Sequence, residues 1–173
     1  MASDPQVLQW LPAQGRPEQL MLVLHGVGDS SAGMVPLAEA LRRAFPQAAV
    51  LAPDGFEPFD GDPLGLLGGR QWFSLQGIDD MNRAGRALAV LPRLAAFVRG
   101  AQQSTGVGPA ATALVGFSQG AICALELAQA EDGLAGRVLA FAGRYGTLPE
   151  RALRHTTLHF FHGSDDEVIP AQH

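Results

Sequence analysis

One short string in the sequence has the residue types of nucleophilic catalysis. Gly116-Phe117-Ser118-Gln119-Gly120 fits the pattern G-x-S-x-G, in which a serine sits on a turn too sharp for side chains two positions to either side. Glycine at both places relieves that crowding. A helix starting just behind the serine then turns its amide groups and positive dipole end toward the charge that develops on attack. Taken alone, the string also suits a glycine-rich turn with a helix-capping serine. Its setting between a predicted strand and a predicted helix favours the nucleophile.

Two further segments have what such a serine needs. His25-Gly26-Val27-Gly28-Asp29 follows an uninterrupted apolar run. A loop in that place donates one amide of an oxyanion hole and the residue after the nucleophile donates the other, which points to the backbone N–H groups of Val27 and Gln119. Without the serine string, Gly26 and Gly28 would serve equally as a strand-exit turn. His162-Gly163-Ser164-Asp165-Asp166 follows the last predicted strand, and an acid there keeps the chain order serine, acid, histidine. Asp166 is the first candidate and Asp165 the second; the role is to hold an imidazole in its working tautomer. Without the serine upstream, a solvated acidic turn is the simpler reading.

The other reactive side chains read as structural. His25 and His162 each precede glycine at a strand end and suit hydrogen bonding within the fold, whereas His159 alternates within a strand as a core or sheet-face residue. His162, Asp165, Asp166 and His173 match no established ligand spacing, so no metal site is assigned. Cys123, on the helix behind the serine, reads as a small buried packing residue.

The elements that must position these groups alternate in type. Strands are predicted over 7–11, 20–24, 48–52, 112–115, 137–142 and 157–161, and helices over 31–45, 79–103 and 119–130. That alternation specifies an α/β fold with a mostly parallel sheet flanked by helices. Residues 20–24, all apolar, suit a strand covered on both faces. The first helix has Leu37, Ala40, Leu41 and Ala44 at helical spacing; the second has Leu88, Leu91, Leu94, Ala95 and Val98, with a kink or break expected at Pro92. Residues 56–76, rich in Gly, Pro and Asp, are expected to form a long functional loop.

With 173 residues, the chain suits one domain over 1–173. Apolar residues make up 47% and charged residues 17%, which excludes a disordered chain. All 12 basic residues are arginine, which reads as coding bias, and the net charge is −5 with no basic stripe, which argues against nucleic-acid binding. The N-terminus has no signal-peptide pattern, no run is suited to crossing a bilayer, and the lone cysteine has no internal partner; together these point to the cytoplasm.

These segments resemble the phospholipase/carboxylesterase family, which includes acyl-protein thioesterases and small bacterial esterases. The resemblance rests on Leu24-His25-Gly26-Val27-Gly28-Asp29, Gly69-Arg70-Gln71-Trp72-Phe73, Gly116-Phe117-Ser118-Gln119-Gly120-Ala121, and His162-Gly163 with Asp166 and Pro170, in order along nearly the whole chain. It implies an α/β-hydrolase fold and hydrolysis of small-molecule carboxylic esters or thioesters through an acyl-enzyme on Ser118, with Asp166 as the triad acid and no cofactor. It also implies that Trp72 and Phe73 line the acyl pocket; packing of their loop onto the sheet is the equal alternative.

The family's catalytic histidine lies about thirty residues or more beyond the acid, after a further strand and before a final helix. Here seven residues follow Asp166, ending in His173, the one later histidine. The expectation is therefore a chain lacking that last strand, histidine loop and helix. Strand 157–161 would then be an open edge inclined to form a homodimer or aggregate. Two other functions remain open at this level: a non-catalytic binding domain that keeps the pocket, and a lactone-type hydrolase of another branch.

Overall fold

Alternating strands and helices wind into a single twisted six-stranded sheet in a computed structural model that describes residues 5–79, 81–166 and 169. The chain runs through β1 (Val7–Trp10), β2 (Gln19–Leu24), α1 (Val35–Ala44), β3 (Ala48–Pro53), β4 (Glu57–Pro58), β5 (Arg70–Gln71), α2 (Arg83–Thr105), β6 (Thr112–Phe117), α3 (Gln119–Ala130), β7 (Arg137–Phe141) and β8 (Thr157–Phe161). The strand order is β1-β3-β2-β6-β7-β8. Within this sheet every pairing is parallel except that of β1 with β3.

The two-residue period of β2 divides the core between the faces. Leu20, Leu22 and Leu24 join the apolar layer that contains α2 and α3, whereas Met21 and Val23 join the layer under α1. Both sets are buried, which is why this strand tolerates no polar residue between its ends. α3 is almost enclosed: residues 119–128 are all buried. An enclosed helix resists movement, and this one starts immediately after Ser118.

Several expectations change in detail. The first helix opens with a 3₁₀ turn, Ser31–Met34, before α1 begins at Val35. Its inner face is Met34, Leu37, Ala38 and Leu41; Ala40 and Ala44 face outward, because the helix meets the sheet about one position around from the face the spacing suggested. Pro92 interrupts nothing: α2 runs through it from Arg83 to Thr105. A proline at 92 removes the donor to the carbonyl of Leu88, and Leu88 is 49% exposed, so water is available to that carbonyl. The exposure also takes Leu88 off the buried stripe. His159 is exposed on β8 rather than set in the core.

The segment expected as one long loop contains the short antiparallel pair β4–β5. Its tip is organised by one side chain. The Asp62 carboxylate accepts the N–H groups of Leu66 at 2.9 Å, Leu67 at 2.7 Å and Gly68 at 3.1 Å.

Candidate active site

Three of the sequence-predicted site segments emerge at the carboxyl ends of parallel strands, the edge where open α/β sheets bind ligands, whereas Trp72 and Phe73 follow β5 of the antiparallel β4–β5 pair. β2 leads into His25–Asp29, β6 into Ser118, β7 into Ala142 and β8 into His162. Hydrogen bonds tie these exits together in sequence across the sheet. Ser118 N–H donates to the Phe141 carbonyl at 2.8 Å, and Ala142 N–H donates to the Phe161 carbonyl at 2.9 Å.

Ser118 has φ 50° and ψ −114°, and only it and Ala142 among the described non-glycine residues have positive φ. Such a backbone costs on the order of 1–3 kcal/mol and persists only where the surroundings impose it. The flanking glycines show how. A Cβ on Gly116 would lie 2.6 Å from the Ala121 Cα and from the Gly120 carbonyl oxygen, and one on Gly120 would lie 2.3 Å from the Leu24 carbonyl oxygen. β6, α3 and β2 therefore approach one another more closely than any side chain at 116 or 120 allows.

The loop after β2 is pinned from below by His25, which is fully buried. Its Nε2 accepts the Gly55 N–H at 2.7 Å, which leaves Nδ1 to donate to the Gly26 carbonyl at 2.6 Å. Burial holds its pKa below the ordinary histidine value, so the ring is neutral, with both nitrogens engaged, and is not a base for Ser118. Further along, Gly28 N–H donates to the Arg70 carbonyl at 2.8 Å and Asp29 N–H to that of Gly26 at 3.3 Å. The Val27 N–H has no acceptor among the described residues. The Gln119 N–H, first in α3, has none within its helix.

Between these groups lies a pocket of about 200 Å³ that contains Ser118, Val27 and Gln119. Phe73, Leu75, Ile78 and Ile122 give it an apolar wall, and Arg83 and Arg144 also line it. Trp72 does not. Its ring is 1% exposed, packs on His25 at 5.4 Å and edge-on to Phe56 at 5.2 Å, and donates from Nε1 to the His25 carbonyl at 2.9 Å. Of the two aromatics expected around an acyl group, Phe73 borders the serine and Trp72 backs the His25–Asp29 loop.

The loop after β8 reaches the same pocket through Ile169. Asp166 Oδ1 accepts the Ile169 N–H at 2.9 Å, and its Oδ2 lies 3.4 Å from His162 Nε2. Asp165 is exposed, whereas Asp166 is half-buried. Cys123 is fully buried on α3, and burial pushes its thiol pKa up, which suits packing. His173 and Pro170 lie outside the described residues.

Arg144, Leu75 and Ile78 had not been anticipated at the site. The only sequence signal for Arg144 was its place three residues past the end of β7, at the same sheet edge as Ser118.

A strained serine between a parallel strand and a helix, at the carboxyl edge of a sheet in this order, defines an α/β-hydrolase fold. The chain belongs to the phospholipase/carboxylesterase family, whose model matches residues 10–173. It is 49% identical over 156 residues to Esterase YpfH of Escherichia coli (strain K12), a match covering 90% of this chain and 65% of that relative's length. Among solved structures it is similar to esterase PE8, with a TM-score of 0.85 and 29% identity over 98% of this chain and 80% of that one. The Bacillus cereus carboxylesterase shares the fold, with a TM-score of 0.72 and 18% identity over 97% and 74% of the two chains. No helix among the described residues is long and apolar enough to cross a membrane.

Proposed function

We propose that the protein is a serine hydrolase of carboxylic esters, working through an acyl-enzyme on Ser118. The observation that carries the reading is the strained Ser118 at φ 50°, which shares one pocket with Val27 and Gln119. Strain of this kind is retained where a reactive oxygen must project from a rigid turn. The esterase names of the relatives support the same reading.

In the proposed cycle Ser118 Oγ attacks the substrate carbonyl carbon and gives its proton to a histidine. The carbonyl oxygen becomes an oxyanion that accepts hydrogen bonds from the Val27 and Gln119 N–H groups, which require no reorganisation. Collapse expels the alcohol, which takes the proton from the imidazolium. Water then attacks the acyl-serine and loses a proton to the same imidazole; as the acyl C–O bond breaks and the acid leaves, the imidazolium returns that proton to Ser118 Oγ. Asp166 orients the imidazole, and the base is a histidine beyond the described residues. Phe73 flanks the acyl group, backed by Trp72.

Thioesters enter by the same route, with a thiol leaving in place of the alcohol. The test is hydrolysis of p-nitrophenyl butyrate and S-phenyl thiobutyrate by the protein and its Ser118→Ala variant. Loss of roughly a thousandfold or more in kcat in the variant is expected. Equal rates in the two proteins would rule out Ser118, and turnover of only the oxygen ester would remove thioesters from the proposal.

A further inference from the structure

The described lining of the serine pocket includes cations in a chain that is acidic as a whole. The chain has a net charge of −5, yet among the described residues no carboxylate lines this pocket, and the guanidinium groups of Arg83, which has an interaction of its own, and Arg144 do. Arg144 is half-buried on the β7–β8 loop. Among the described residues it has no hydrogen bond or ion pair. A partly desolvated guanidinium presents five donors in a planar fork suited to carboxylate or phosphate, and leaving them unmatched is unfavourable.

The loop that bears Arg144 is anchored from behind. Glu126, buried on α3, accepts the Gly146 N–H at 2.7 Å, and Tyr145 packs beside Phe160 at 6.4 Å. Arg144 thus projects from a segment tied to the helix that positions Ser118, which is how a specificity group is held at a fixed distance from a reacting centre. The pocket offers about 200 Å³, below the ~300–1,000 Å³ usual for ligand pockets, which suits a short stem between Arg144 and the serine.

We propose that this pocket selects short esters bearing a negative charge, with Arg144 as the residue that binds the carboxylate or phosphate. The proposal names the substrate class of the serine site and so rests on the ester-hydrolase reading above. The charge belongs to either the acyl group or the leaving group; both place an anion within a few bonds of the scissile carbonyl.

Binding separates this proposal from turnover. In the full chain carrying Ser118→Ala, calorimetry compares monomethyl succinate, charged on the acyl side, and O-butyrylglycolate, charged on the alcohol side, with the neutral methyl 4-methylpentanoate. A charge-assisted contact predicts roughly ten- to hundredfold tighter binding of at least one anion, and the anion preferred identifies the side. Adding Arg144→Gln should bring that ratio toward one, while Arg144→Lys should retain part of it, with the far-ultraviolet spectrum unchanged in both. Equal affinities for all three compounds, or a preference that survives Arg144→Gln, would overturn the proposal. If the wild-type chain hydrolyses none of them yet shows the Arg144-dependent preference, the hydrolase reading fails and anion recognition stands.

Discussion

Gln119 is joined to Trp72 by a buried hydrogen bond of 2.7 Å, from the Trp72 N–H to the Gln119 Oε1. The same amide returns a bond from Nε2 to the Phe73 carbonyl at 2.8 Å. One residue thus places its backbone N–H beside Ser118 and uses its side chain to fasten the wall of the pocket. Replacing it with Gln119→Leu leaves a buried donor and a buried acceptor unmatched, each at a cost of about 1–3 kcal/mol. Urea unfolding followed by tryptophan fluorescence should show a clearly lower midpoint, together with slower ester turnover. An unchanged midpoint would mean that the clamp contributes nothing.

Gly120 is the least replaceable residue of the elbow. The Cβ introduced by Gly120→Ala meets backbone oxygens of Leu24 and His25 at 2.3 and 2.6 Å, so β2 and α3 must separate. The expected loss is at the upper end of the ~1–3 kcal/mol typical of overpacking, or beyond it. Gly163→Ala provides the contrast, since a Cβ there meets nothing within 4 Å among the described residues. Chemical denaturation of the pair checks this; equal midpoints would contradict the packing described.

His25 makes the fold sensitive to acid. Burial lowers its pKa in the folded chain, so between the unfolded value of about 6.5 and the lower folded one the unfolded state binds more protons. Its contribution is complete above about pH 6.5 and is lost as the pH falls through the folded value. His25→Gln keeps an acceptor for Gly55 without titrating. The difference in urea midpoint between pH 7.5 and pH 5.5, expected to be smaller in the variant, is the measurement; parallel behaviour would discount His25.

Glu126 acts in the opposite sense. Burial raises its pKa, against the backbone N–H groups of Gly146 and Thr147 that favour the ionised form. The folded state therefore holds the proton more tightly than the unfolded one. That contribution is full below about pH 4.3 and is lost as the pH rises through the folded value. Glu126→Gln keeps the acceptor and removes the charge, so thermal unfolding should show it gaining on the parent as the pH rises from 4 to 8. A constant difference across that range would contradict the assignment.

What the sequence made legible was whatever depends on local crowding. Gly116, Ser118 and Gly120 announce the elbow because no other residue type fits the two flanking positions, and β2 announces its burial through five apolar residues in a row. The hidden parts depend on side chains distant in the chain. The anchoring of Trp72 by Gln119 spans 47 residues and leaves no periodicity to read. β4 and β5 pair over two residues each, too few for an alternating pattern, and their tip depends on a single carboxylate, Asp62. Trp72 and Phe73 are adjacent, equally aromatic and both buried in the core, yet only three-dimensional packing shows that Phe73 also lines the serine pocket.

The proposed mechanism requires that Ser118 be esterified during turnover. It is tested most directly by quenching the full-length protein in acid during hydrolysis of p-nitrophenyl butyrate, digesting it and locating any butyryl adduct by mass spectrometry. The adduct is expected on Ser118, in the peptide spanning β6 and α3, and is expected to be absent from Ser118→Ala. An adduct on another residue, or turnover undiminished in that variant, would contradict it.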